Sequence, residues 1–115
     1  MNLDSVLDVS SNQEFGDWLA MNHDRASELW LAFYKKTARK SGPDLAGSIE
    51  VALCFGWIDG KIRSLDGDRY VIRFTPRCKR SNWSRANRDT AAKLIREGRM
   101  TAAGMAVLPA DFSLE

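Results

Sequence analysis

The residues best suited to chemistry lie between Glu50 and Arg99. Glu50, Cys54 and Trp57 recur at i, i+4 and i+7, the spacing that puts side chains on one face of a helix. Asp59 follows at the end of the same apolar run. A carboxylate on a helix covered on nearly every side must be paired, neutralised or turned toward a cleft, because an isolated buried charge is strongly penalised. Arg73, a lone cation in an otherwise apolar strand, is its natural counterpart, with Arg63 and Arg77 as alternatives. The expected arrangement pairs Glu50 with one of these arginines beside a pocket of Glu50, Cys54, Trp57 and Asp59. It serves either to hold helix to hairpin or as a small polar site. Used catalytically, Glu50 would be the acid/base, with Cys54 or Asp59 beside it. Cys54 by itself is expected to be a small core hydrophobe. A nucleophilic thiol needs a neighbouring base, and the single histidine, His23, sits far off in sequence.

A second constellation runs from Arg73 to Arg88. Here Arg73, Arg77, Lys79, Arg80, Arg85 and Arg88 surround Trp83, and Ser84 is of the type that caps a helix start. Guanidinium groups beside the free N–H groups of a helix start make an anion site. Trp83 is suited either to stacking on a nucleobase or to packing over a hairpin. The expected contact set is Arg73, Arg77, Arg80, Trp83, Ser84 and Arg88, the competing reading being a solvated basic loop. Alanine at Arg77 and Arg80 is expected to abolish binding with little loss of stability. Asp4, Asp8, Glu14 and Asp17 read as a solvated acidic face rather than a metal site, and His23 as a capping or surface residue. No dinucleotide fingerprint, P-loop, HExxH or GxSxG is present, and no cofactor is expected.

These residues are positioned by a short series of elements. Ser11-Asn12-Gln13-Glu14 has the form of a capping box. Phe15, Trp18, Leu19 and Met21 follow at roughly helical spacing, so a helix is predicted over 12–22. The aromatic run 28–36 reads as a buried strand, and the basic stretch 37–43 with its Ser-Gly-Pro turn as a loop. A helix is predicted over 44–58. It holds one charged residue from Ile49 to Ile58 and must be covered almost all round, with Asp59-Gly60 turning the chain. Two strands, 61–65 and 69–75, flank the hairpin signal Asp66-Gly67-Asp68, and Pro76 stops the ladder. A helix over 85–97 carries Ala91, Leu94 and Ile95 as its buried stripe and Gly98 at its C-cap. A last short helix, 101–107, is limited by Pro109. The order α-β-α-β-β-α-α gives an α+β fold, a single compact domain with a small antiparallel sheet packed against helices. Residues 1–11 and 109–115 are expected to be flexible segments around a domain at 12–108.

A length of 115 residues fits one domain, and 44% apolar with 28% charged residues is ordinary globular composition. The longest apolar stretch, Val51 to Ile58, is too short for a bilayer. The start shows no secretory pattern, so no membrane insertion and a cytoplasmic address are expected. Cys54 and Cys78 are expected to be reduced, and one histidine without a CxxC argues against structural zinc. The net charge of +2 hides an asymmetry. Residues 1–60 hold five basic and nine acidic side chains, and residues 61–99 hold twelve and four. That points to an anionic partner, a small molecule or nucleic acid, unless the two halves neutralise each other on folding.

Taken together, Ala52 to Gly60 (Ala-Leu-Cys-Phe-Gly-Trp-Ile-Asp-Gly), Ile72 to Arg77, Trp83-Ser84 with Asn87, and Gly98-Arg99-Met100 with Ala103-Gly104 resemble the YdeI/OmpD-associated family. Its members are often labelled bacteriocin-protection proteins. Leu29 to Lys36 also resembles that family's first strand, and the likeness covers about Asn12 to Val107. The resemblance implies a role in tolerance of bacteriocins and cationic antimicrobial peptides, association with an outer-membrane porin, and no accepted catalytic mechanism. A weaker likeness to the YjbR/CyaY-like group would imply an α/β sandwich, which alone licenses no function. The chain departs from the family between Lys40 and Ser48, where a tryptophan-proline pair is common. The matching half is basic, so like charges oppose capture of a cationic peptide. An indirect role through an anionic ligand or a protein partner, without catalysis, is the expected function.

Overall fold

The computed structural model describes residues 6–38, 40–78 and 83–114. The first helix, α1, spans Asn12–Asn22, and the Ser11 hydroxyl caps it by accepting the Glu14 N–H at 3.2 Å. The reciprocal half of the capping box is shifted by one residue, since the Glu14 carboxylate accepts from Ser10. Phe15 and Leu19 are fully buried. Met21, expected on the same stripe, is 69% exposed, because two residues on from Leu19 lies near the opposite side of a helix.

Four strands form one sheet in the order β1-β2-β4-β3: β1 Val6–Leu7, β2 Leu29–Tyr34, β3 Trp57–Ser64 and β4 Arg69–Pro76. The antiparallel register sets Leu31 opposite Ile72 and Trp30 opposite Arg73. Strand alternation then sorts the side chains onto two faces. Leu29, Leu31, Phe33, Ile72 and Phe74 meet Phe15 and Leu19 of α1 and Ala52 of the central helix in the main core. Trp30, Ala32 and Val71 form a smaller cluster on the opposite face, flanked by Val6 and Leu65. β1 is absent from the sequence-based expectation because two residues are too few to show alternation. It pairs parallel with Trp30 and Leu31, so the sheet is mixed rather than purely antiparallel.

The central helix, α2, spans Leu45–Cys54, with Asp44 capping it by accepting the Gly47 N–H at 3.1 Å. It was expected to reach Ile58. Gly56 instead takes φ +76°, a left-handed conformation that suits glycine and stops a helix. The apolar run from Val51 to Ile58 therefore serves two elements, a helix end and the start of β3. Asp59 and Gly60, expected to form a turn, lie inside β3 beside a bulge between Asp59 and Ile62.

The helix α3, Arg85–Arg96, begins at the expected Ser84 cap, and Gly98 takes φ +72° just past its end. A short helix, α4, covers Ala102–Ala106. Leu53, Cys54, Trp83, Ala91 and Leu94 make a second cluster, with Phe112 packed against it. The Cys54 carbonyl, left open at the end of α2, accepts the Thr101 N–H at 3.0 Å and the Thr101 hydroxyl. That contact closes α4 over the C-terminus of α2 and supplies acceptors with partners that the helix itself lacks.

Candidate functional site

Glu50 is paired, though not with the expected arginines. Its carboxylate accepts from Lys93 Nζ on α3 and from Arg99 Nη1, each at 3.0 Å, and Arg99 also reaches Glu97 at 3.2 Å. Arg73 instead bonds Glu28 at 2.9 Å. The cause is strand alternation: Arg73 stands opposite Trp30, and Arg63 opposite Val71, so both lie on the sheet face turned away from α1 and α2. The Lys93 hydrogen bond, aided by Arg99 against the opposing effect of burial, holds the Glu50 carboxyl below its ordinary value. A carboxyl whose folded pKa is depressed adds stability above its unfolded pKa and loses it as pH falls through the folded value. Glu50→Gln is therefore expected to cost about 1 kcal/mol at neutral pH, a modest effect for a partly exposed cluster. The difference from the parent should shrink as denaturation is repeated below the ordinary glutamate value of 4.5.

The four-residue pocket expected around Glu50 is not assembled. Trp57 is a strand residue, 2% exposed, inside the main core, and Trp18 meets it edge-on at 6.1 Å. Asp59 is exposed on β3. Cys54 alone borders an open space, a cleft between α1 and α2, and burial pushes its thiol pKa up. Neither Cys54 nor Cys78 is in a disulfide. His23 closes α1, with Nδ1 2.9 Å from the Leu19 carbonyl.

The expected anion set separates in the same way. Arg77 is 6% exposed, donates its N–H to the Gly56 carbonyl at 2.7 Å and lies 4.0 Å over the Trp83 ring. Burial lowers its pKa, with the charge of Asp59 opposing. Trp83 is 9% exposed, beneath Arg77 and against the second core, so its ring is not offered to a nucleobase. Arg77 is thus part of the packing, and its removal carries a stability cost that the sequence did not suggest. The Ser84 hydroxyl is engaged by the Asn87 N–H at 3.1 Å, Arg73 is tied to Glu28, and Arg80 lies outside the described residues. Arg88 remains.

Arg88 opens on a groove of about 460 Å3 between α3 and the segment after α4. Arg85, Arg88, Ala92 and Arg96 fall at i, i+3, i+7 and i+11, one helix face, and all line it. Arg88 donates to the Asp111 carboxylate at 3.2 Å and Arg96 to the Leu114 carbonyl. Arg85 is more loosely placed, 3.7 Å from Asp89. Phe112 forms part of the opposite wall. Arg96 was missed from sequence although its spacing from Arg88 was there to be read. The role of Asp111 and Phe112 carried no sequence signal. Among the described residues no group of histidine, cysteine and carboxylate side chains is arranged to hold a metal, and no helix is long and apolar enough to cross a membrane.

Residues 7–107 match the family model described as Domain of unknown function (DUF8412). The chain belongs to the DUF8412 family. No curated protein and no solved structure matches it. The DUF8412 match runs from β1 through α4, so it contains the three groove arginines and ends before the Asp111–Leu114 wall.

Proposed function

We propose that this DUF8412 domain is a non-enzymatic binding module that takes an acidic protein segment on the arginine face of α3. The observation that carries the reading is the groove itself. Three guanidinium groups line one side of it, where Arg88 already holds a carboxylate and Arg96 a main-chain carbonyl. An acidic peptide offers both of those groups, and guanidinium groups bind carboxylates strongly and with defined geometry. Much of the charge asymmetry is neutralised within the fold: Arg69–Asp8, Arg73–Glu28, Lys93–Glu50 and Arg99–Glu50 each tie the basic half to the acidic one. On the α3 face the arginines meet only Asp89 of the same helix and the chain end at Asp111 and Leu114, exposed contacts that an acidic segment would have to displace. The shifts at Glu50 and Cys54 speak against the catalytic alternative built on those two residues, since an acid/base glutamate needs a raised pKa and a nucleophilic thiol a lowered one. The closed ring of Trp83 favours a protein over single-stranded nucleic acid. On the motif resemblance to the YdeI/OmpD-associated proteins, a role in tolerance of bacteriocins is proposed to be indirect, through such a partner in the cytoplasm rather than through contact with a porin.

The test is fluorescence anisotropy with a glutamate-rich peptide and with single-stranded DNA, each at low and high salt. Peptide binding should weaken with salt, and each of Arg85→Ala, Arg88→Ala and Arg96→Ala should lower affinity by about tenfold, the scale of one charge-assisted hydrogen bond. Arg63→Ala, on the other side of the fold, should leave it unchanged. Binding of DNA alone would favour a nucleic-acid partner, and binding of neither would overturn the reading.

A further inference from the structure

A shallow, open cleft of about 340 Å3 lies over the seam where α1 packs on the end of α2, on a different part of the molecule from the α3 groove. Gly16, Ala20, Val51, Cys54 and Phe55 give it apolar walls. Gly16 leaves room on the α1 side, where a methyl group would stand 3.4 Å from the Val51 side chain in ordinary van der Waals contact.

The charged groups at the rim are Asp17, on α1, and Arg99, on the loop after α3. Asp17 makes no ion pair and accepts no hydrogen bond among the described residues. Arg99 spends only Nη1 on Glu50 and Glu97, which leaves Nε and Nη2 without a hydrogen bond among the described residues. Two carboxylates already face Arg99, so a purely anionic ligand would meet Glu50 and Glu97 as well as Asp17. A ligand carrying both signs matches the rim better. Its carboxylate would complete the Arg99 fork and its ammonium group would neutralise Asp17, while an apolar body fills the space beside Val51 and Cys54. The volume lies at the lower end of the range for small-molecule sites, which suits a ligand of amino-acid size. We propose that the α1–α2 cleft binds a zwitterionic amino acid with an apolar side chain, independently of the α3 groove.

The experiment compares three near-isosteres by amide NMR on the full chain: leucine, 4-methylpentanoate (leucine without its amine) and 3-methylbutylamine (leucine without its carboxylate). Leucine is expected to shift Gly16, Val51, Cys54 and Thr101, with both analogues weaker by about tenfold, the effect of losing one charged contact. Asp17→Asn should abolish the preference for leucine over 4-methylpentanoate. Arg99→Gln should abolish the preference over 3-methylbutylamine. Because Arg99 also steadies Glu50, Gly16→Leu serves as a second variant that fills the cleft without touching a charge, and it should block all three ligands. Either analogue binding as well as leucine would overturn the zwitterion assignment, and no shift at millimolar leucine would overturn the site. Neither result bears on the α3 groove.

Discussion

Replacing Gly104 by alanine is expected to destabilise the domain by about 3 kcal/mol, the upper part of the range for forcing one extra methyl group into a packed interior. A Cβ at Gly104 would fall inside van der Waals contact of the Cys54 carbonyl oxygen and the Met100 sulphur. Methionine is adaptable and can turn away. The carbonyl cannot, because it is held by both the N–H and the hydroxyl of Thr101. α4 would have to lift from the end of α2 and uncover the second core. Gly56, the residue that ends α2, locks into the same contact from the other side, where an added Cβ would stand 2.9 Å from the Ala103 carbonyl. Gly98 supplies the control. Its φ of +72° carries a backbone preference that Gly104, inside a helix, does not share, but nothing lies within 4 Å of an added Cβ. Gly98→Ala should therefore cost only the conformational part, roughly 1 kcal/mol. Urea denaturation of the two variants separates the effects, and a Gly104→Ala midpoint as mild as that of Gly98→Ala would refute the close-contact account.

The same corner shows why some of this architecture is legible in the sequence and some is not. Local signals were sufficient wherever one element had its own start and stop: Ser11 before α1, Ser84 and Gly98 around α3, Asp66-Gly67-Asp68 between β3 and β4. They failed at Val51 to Ile58, where a continuous apolar run fits a covered helix as well as a buried strand. Nothing in that run except Gly56 marks the change, and a single glycine inside an apolar stretch is an ambiguous signal. Placing Trp57 on the helix then put Cys54 and Trp57 on one face and built a pocket that the fold does not contain. β1 was hidden for a different reason, since Val6-Leu7 becomes a strand only by pairing with Trp30 and Leu31.

Charge was legible in amount and not in partnership. An anionic preference in the second half of the chain could be counted, but which cations remain open depends on contacts across many residues. Arg73 and Glu28 are 45 residues apart, and Arg99 and Glu50 are 49 apart. Once those pairs and the stacking of Arg77 are set aside, the binding candidates move from the hairpin end to the α3 face, with Arg88 shared by both.

Trp83 is the residue on which the sequence-based and structural roles differ most. Trp83→Ala is expected to cost about 3–5 kcal/mol, the usual scale for removing a buried tryptophan. It belongs to the buried cluster of Leu53, Cys54, Ala91 and Leu94, and its ring carries the buried guanidinium of Arg77. Truncation would open a cavity and also remove the aromatic face beneath a cation whose pKa burial already lowers. The indole Nε1 finds no hydrogen-bond acceptor among the described residues. Trp83→Phe should then lose ring volume without breaking a hydrogen bond, and cost roughly 1–2 kcal/mol, the scale of a modest loss of buried volume. If Trp83 were mainly a ligand-stacking residue, both substitutions would leave stability almost unchanged. A double-mutant cycle with Arg77→Ala isolates the stacking, with an expected coupling of about 1–2 kcal/mol for a cation–π pair removed from water. Additive losses would place Arg77 and Trp83 in the fold independently. A coupling of the expected size would show that an arginine and a tryptophan with the composition of a binding site act here as a single piece of the core.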